Sequence, residues 1–71
     1  MANNTFISFA DNLINTRYII CFEKRKGVNA YAGKYSITVF IEGYDSLNEW
    51  FDSKEERTER YVELMTILNS N

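Results

Sequence analysis

The stretch YSITVFIE at residues 35–42 decides the fold class, because it is the densest run of β-branched and aromatic residues in the chain. Its composition predicts a strand. Two further strands are predicted on either side of it, RYIICFEK at residues 17–24 and SLNEWF at residues 46–51. The glycine-containing segments between them predict a long hairpin loop at residues 25–33 and a tight turn at residues 43–45. These strands therefore predict an antiparallel sheet.

The two ends of the chain add a strand and a helix. TFISFA at residues 5–10 predicts a strand, and after the turn at residues 11–12 the pair Leu13 and Ile14 can fold back on it. Ser53 followed three residues later by Glu56 is the capping-box pattern that begins a helix. The helical spacing then places four apolar residues on one face: Tyr61, Leu64, Met65 and Leu68. The sequence predicts one α+β domain over residues 1–71, with an antiparallel sheet of about four strands and a C-terminal helix at about 53–68 packed on one face.

Alternation of side chains along the strands predicts which residues lie under the helix. In the central strand this set is Tyr35, Ile37, Val39 and Ile41, joined by Ile19, Cys21, Leu47 and Phe51 from the neighbouring strands. Cys21 is then expected to be a small buried hydrophobic residue. A bulge near residues 15–16 would reverse this pattern in the preceding strand.

The opposite face of the sheet is also apolar in this alternation. It would carry Tyr18, Ile20, Phe22, Phe40 and Trp50. Because one helix covers one face of a sheet, these five residues are the predicted interface with a second copy or with another protein. Two parts of the chain are alternative covers for the same face, the N-terminal segment with Phe6 or Phe9 and the long loop with Tyr31.

Cations cluster around the predicted hairpin, although the formal net charge is -2. The cluster contains four of the eight cations and two aromatic residues: Lys24, Arg25, Lys26 and Lys34, with Tyr31 and Tyr35. Cations hold phosphates and aromatic rings stack on bases, so the hairpin is a candidate site for a nucleotide or nucleic acid. The other interpretation is a solvated loop whose charges discourage aggregation between sheet edges.

Composition narrows the possible chemistry. The chain has no histidine and a single cysteine, and its three glycines are dispersed. This pattern excludes an intrachain disulfide and argues against a histidine-activated nucleophile, a phosphate-binding glycine loop and a zinc site. We therefore expect no enzyme activity, cofactor or metal. The absence of a leader pattern or a membrane-spanning apolar run predicts a cytoplasmic protein without a membrane partner.

Two segments of the chain resemble known short proteins. INTRYIICFE at residues 14–23 resembles the opening of many short bacterial and phage proteins, and DSL at 45–47 with FDSKEER at 51–57 is similar to their ending. The layout is related to that of FlbD/SwrD-type flagellar proteins, from which the longer loop and the C-terminal helix depart. The resemblance implies a series of strands with a helix, encoded by a phage or mobile element, and transfers no catalytic residue.

The leading functional hypothesis is a non-enzymatic binding module that sequesters or blocks a host component, acting as a homo-oligomer. The alternative is a nucleotide or nucleic-acid binding protein that uses the basic hairpin at residues 24–34.

Overall fold

A computed structural model describes residues 5–69 and has an α+β fold, as the sequence predicts. Its elements are β1 (Phe6–Phe9), β2 (Asn12–Asn15), β3 (Ile19–Lys26), β4 (Tyr35–Ile41), β5 (Leu47–Phe51) and α1 (Lys54–Asn69). Short 3₁₀ turns lie at residues 16–18 and 29–31. The strands form two antiparallel sheets, a β1–β2 hairpin and a three-stranded sheet in the order β3–β4–β5. The predicted single sheet of about four strands is therefore divided in two.

The β1–β2 hairpin turns through two residues with left-handed backbone, Ala10 (φ 51°) and Asp11 (φ 63°). Two consecutive positive φ angles match the right-handed twist of the flanking strands. Ile7 lies opposite Ile14 in the hairpin, so the predicted return of the chain at residues 13–14 is confirmed. The 3₁₀ turn at residues 16–18 then separates β2 from β3, and the hairpin packs on the main sheet instead of extending it.

The β1–β2 hairpin, called the hairpin from here on, and α1 together cover one side of the three-stranded sheet. We call this side the inner face. The core between them consists of Ile7, Phe9, Ile14, Phe22, Ile37, Val39 and Leu64. The rings of Phe9 and Phe22 meet with centroids 5.7 Å apart. Helix α1 begins after Ser53, whose Oγ accepts a hydrogen bond from the N–H of Glu56 at 3.1 Å, as the capping pattern predicts.

A β-bulge in β3 changes which of its side chains are buried. Ile19 pairs with Ile41, but Cys21 pairs with Phe40, so Ile20 is an extra residue without a partner on β4. A bulge of one residue reverses the alternation beyond it. Phe22 therefore lies in the core and Cys21 is exposed, and the predictions that Phe22 is an interface residue and that Cys21 is buried are both wrong.

Candidate functional site

The side of the sheet away from the hairpin and α1, the outer face, is where most of the predicted interface lies. Pairing with β4 places Cys21 beside Phe40 and Trp50 beside Ser36 on this face. Ile20 is 67% exposed and Trp50 is 44% exposed. Helix α1 and the β1–β2 hairpin pack on the inner face, and the loop between β3 and β4 reaches over part of the outer face, where Ser36 and Thr38 are both buried.

That loop covers one end of the outer face by stacking Tyr31 on Trp50. The two ring centroids are 4.6 Å apart and the rings are 16° from parallel. The loop backbone closes tightly on Gly27, where a Cβ atom would lie 2.0 Å from the carbonyl oxygen of Tyr31. Ser36, next to Trp50 in the sheet, is buried. The loop is thus a partial cover, as the alternative interpretation of the sequence suggested.

The other end of the outer face is apolar and partly exposed. Cys21 pairs with Phe40 there, and the unpaired Ile20 precedes Cys21 in β3. Ile20 and Cys21 are exposed and Phe40 is half-buried, and we call these three residues the outer patch. The guanidinium of Arg25 lies 5.5 Å from the centroid of the Phe40 ring and forms an ion pair of 2.6 Å with Glu23. An apolar centre with one cation and one anion at its rim is therefore available for contact.

The five predicted interface residues do not form one surface. Ile20, Phe40 and Trp50 lie on the outer face, whereas Phe22 is in the core. Tyr18 lies in the 3₁₀ turn at residues 16–18, where its ring lines a separate hollow of about 450 Å³ with the hairpin and the β4–β5 turn.

The predicted anionic site is also divided between the two faces. Arg25 is on the outer face, but pairing with β4 places Lys24 beside Ile37 and Lys26 beside Tyr35 on the inner face. Lys24 Nζ lies 4.9 Å from the centroid of the Tyr61 ring. The remaining members, Lys34 and Tyr31, lie by β5, as the following contacts show.

Lys34 forms an ion pair with Asp52 just after β5. The hydrogen bond from Lys34, together with its positive charge, lowers the pKa of Asp52. This cation is therefore already paired with a carboxylate within the chain.

Arg57 of α1 is a candidate binding residue that the sequence pattern concealed. It is only 7% exposed, and its guanidinium lies 5.1 Å from the centroid of the Tyr35 ring. Arg57 Nη1 donates a hydrogen bond of 2.8 Å to the carbonyl oxygen of Arg25, while the buried Nε finds no hydrogen-bond partner in the described part of the chain. No carboxylate within residues 5–69 forms an ion pair with it. Its position four residues before Tyr61, on the same helical face, was the available signal.

A groove of about 780 Å³ runs along β5 beside α1. Tyr31, Trp50 and Phe51 form its aromatic part. Its charged lining consists of four carboxylates and two cations: Asp52, Glu56, Glu59 and Glu63, with Lys34 and Arg60. We call this the β5 groove. A second hollow, of about 650 Å³, continues along β5 and shares Trp50 and Arg60 with it.

One ion pair fixes the inner wall of this region. Arg60 binds the Glu49 carboxylate through Nε and Nη2, at 2.9 and 3.1 Å, and this hydrogen bonding raises the pKa of Arg60. Arg60 Nη2 also donates to the carbonyl oxygen of Ser8 at 2.5 Å, and the N–H of Ala10 donates to Glu49 at 3.0 Å. The pair thus joins α1, β5 and the hairpin, which makes its role structural.

The described part of the chain contains no group of three or more side chains suited to hold a metal ion. No helix within residues 5–69 has the length and apolar character needed to cross a membrane. The chain matches no family of known proteins, no curated protein and no solved structure.

Proposed function

We propose that this chain is a non-enzymatic protein-interaction module that self-associates through the outer patch. The observation that carries the proposal is the exposed apolar end of the outer face: Ile20 is 67% exposed, and Cys21, which pairs with the half-buried Phe40, is exposed as well. Helix α1 and the β1–β2 hairpin both pack on the inner face. Contiguous exposed apolar surface is typical of interaction sites. Binding at such a surface can block or sequester a partner without chemistry.

A second copy of the chain is the occupant that the charges favour. Glu23 and Arg25 lie side by side at the rim of the outer patch, and both side chains are about half exposed. In a two-fold interface each copy presents the same surface to the other, so a surface that offers both signs of charge is self-complementary. Each Glu23 can then pair with the partner's arginine instead of its own neighbour.

Light scattering over a range of concentrations tests the self-association. The parent should be dimeric or larger at high micromolar concentration, and Ile20→Glu should be a folded monomer, because it places a charge in a desolvated contact. Val62→Glu is the matched control, since Val62 is 57% exposed on α1, away from the outer patch, and should leave the assembly unchanged. A parent that is monomeric at those concentrations, or an Ile20→Glu variant that still associates, contradicts the proposal.

Binding of an anionic ligand on the inner face is the second candidate, and Arg57 is the observation that favours it. The Arg57 guanidinium is buried and forms no ion pair with a carboxylate of residues 5–69, so it carries a desolvation cost that a bound anion would offset. Lys24 and Lys26 lie on the same face of the sheet, and Tyr35 lies beneath the Arg57 guanidinium. These groups could hold a phosphate, with an aromatic ring close by.

Thermal denaturation with added inorganic phosphate or ATP tests this second candidate. A ligand that binds the folded state raises the melting temperature in a concentration-dependent way. The double variant Lys24→Met/Lys26→Met should lose the shift while remaining folded, since both lysines are exposed. Lys54→Met is the control on the helix surface. Equal shifts in parent and double variant, or no shift in the parent, exclude this site.

A further inference from the structure

We propose that the free edge of β5 binds an extended basic segment of another protein, which adds to the sheet as a further strand in the β5 groove. This site differs from the outer patch in its kind of contact. Here the partner is bound through backbone hydrogen bonds from the edge of the sheet.

The hydrogen-bond pattern of the sheet shows which backbone groups of β5 point outward. At the two ends of the β3–β4 ladder, Gly27 N–H bonds to the carbonyl of Lys34, and Glu42 N–H bonds to the carbonyl of Tyr18. Since bonding alternates along an antiparallel strand, the even-numbered residues of β4 bond to β3 and the odd-numbered ones bond to β5.

The odd-numbered residues of β4 face the odd-numbered residues of β5. The backbone N–H and C=O groups of Asn48 and Trp50 therefore point away from the sheet. β5 is an edge strand, and within residues 5–69 no other strand pairs with this side of it. Unpaired backbone groups in a row are a template for an added strand.

The β3 edge of the sheet carries features that prevent strand addition, whereas the β5 edge does not. β3 carries the bulge at Ile20 and three successive cations at residues 24–26, which are devices that block strand addition. β5 is regular along its pairing with β4. It also lies beside a hollow surface large enough for a peptide, at about 780 Å³.

Charge selects the occupant of the β5 groove. The groove carries four carboxylates against two cations, and both cations are already engaged, Lys34 with Asp52 and Arg60 with Glu49 and Glu63. Glu56 and Glu59 form no ion pair within residues 5–69. A second copy placed edge to edge would bring two such acidic flanks together, so the complementary occupant is a lysine- or arginine-bearing segment.

The alternation of side chains gives this segment a recognisable pattern. Helix α1 lies on the inner face and Trp50 projects on the outer face, so successive side chains of an added strand would meet different walls. Basic side chains on the inner side reach Glu56 and Glu59, and uncharged side chains on the outer side contact the Tyr31–Trp50 stack. We expect a segment in which basic and uncharged residues alternate.

The probe for the test is the acetylated, amidated peptide KTKVKTK, with ETEVETE as its charge-reversed control. Trp50 is the single tryptophan and lies in the groove, so its fluorescence reports binding directly. KTKVKTK should change the fluorescence saturably and bind at least tenfold more tightly than ETEVETE. It should also shift the backbone amide resonances of Asn48 and Trp50 and slow their hydrogen exchange.

Two sets of variants separate strand addition from simple charge attraction. Two N-methylated versions of the peptide are compared, one methylated at its odd-numbered residues and one at its even-numbered residues. One version should bind at least tenfold more weakly and the other should bind almost as well as the parent peptide, because only one set of N–H groups faces β5. Glu56→Gln/Glu59→Gln should weaken binding several-fold, whereas Glu55→Gln, which does not line the groove, should not. The proposal is overturned if the basic and acidic peptides bind equally, if the two N-methylated peptides bind equally, or if no peptide binds. None of these outcomes depends on whether the outer patch self-associates.

Discussion

Arg60 of α1 and Glu49 of β5 form a two-point contact, with N–O distances of 2.9 and 3.1 Å, at the place where the hairpin meets the sheet. Both side chains are about one-fifth exposed, which is more buried than an ordinary surface pair. Glu49 also accepts the N–H of Ala10, so the loss of either partner disturbs three elements together.

Replacing Arg60 by Met should lower the free energy of unfolding by about 1–3 kcal/mol, since hydrogen bonds to charged groups contribute about 1.5–3 kcal/mol each and partial exposure reduces that value. Urea denaturation measures the change. Glu63→Gln is the matched control, because Glu63 is bonded to the same guanidinium but is mostly exposed, and it should cost below about 0.5 kcal/mol. Equal costs for the two variants would show that the Glu49 contact has no special role.

Leu64 is fully buried between α1 and the sheet, in the core that contains Ile37 and Val39. Leu64→Ala should reduce the free energy of unfolding by about 2–5 kcal/mol, through lost burial and the cavity that remains. Val62→Ala on the exposed side of the same helix should cost about 1 kcal/mol at most, because Val62 is 57% exposed. Chemical denaturation of the two variants decides it, and similar midpoints would mean that the helix does not pack as described.

The helix and the central strand could be predicted from the sequence because each depends on local patterns and not on contacts between distant parts of the chain. Ser53, the cap, and Leu64, the buried position of the helix, could both be recognised from spacing. The alternation in β3 could not be predicted, since one unpaired residue at Ile20 exchanges the environments of Cys21 and Phe22 without any proline or glycine to mark it.

The candidate sites were less accessible still to a reading of the sequence. The open edge of β5 depends on the β1–β2 hairpin forming a separate sheet, which is decided by tertiary packing. Arg57 lies in a run of charged residues that is typical of an exposed helix surface. Only its spacing of four residues from Tyr61, which places both on one face of the helix, distinguished it.

The bulge in β3 predicts the reactivity of the single cysteine. At low micromolar concentration, a thiol reagent should label Cys21 in the native protein at close to its rate in denaturant, because the side chain is exposed. In the control Cys21→Ser/Phe22→Cys the thiol lies in the core, and it should react only as fast as the protein unfolds. A protected Cys21 in monomeric protein would place the bulge elsewhere. Labelling that slows as the protein concentration rises would support self-association through the outer patch.

The ion pair between Lys34 and Asp52 predicts a defined pH dependence. The hydrogen bond and charge of Lys34 lower the pKa of Asp52, so Lys34→Met should return that pKa to the ordinary range of an aspartate, as followed by side-chain NMR titration. Because the pKa is depressed in the folded state, the ionised carboxylate stabilises the fold above its unfolded-state pKa, and this contribution is lost as the pH falls through the folded-state value.

The difference in denaturation midpoint between parent and Lys34→Met should accordingly be present at neutral pH and disappear in acid. Lys26→Met is the control, since Lys26 forms no ion pair within residues 5–69, and it should leave the titration of Asp52 unchanged. An Asp52 pKa that is identical in parent and Lys34→Met would contradict the contact.

Gly27 controls whether Tyr31 can reach Trp50. A Cβ atom at this position would lie 2.0 Å from the carbonyl oxygen of Tyr31, and because that oxygen belongs to the backbone, the loop itself would have to move. Gly27→Ala should therefore separate the two stacked rings and cost about 1–3 kcal/mol, as overpacked sites do. The near-UV circular dichroism of the stack should fall, and the emission of Trp50 should shift to longer wavelength as its indole becomes more exposed. Tyr31→Ala gives the reference spectrum of a chain without the stack, and the variant Gly27→Ala should approach it. If Gly27→Ala keeps the parent spectrum and stability, the loop can accommodate a Cβ atom at residue 27. The aromatic wall of the β5 groove then does not depend on the glycine.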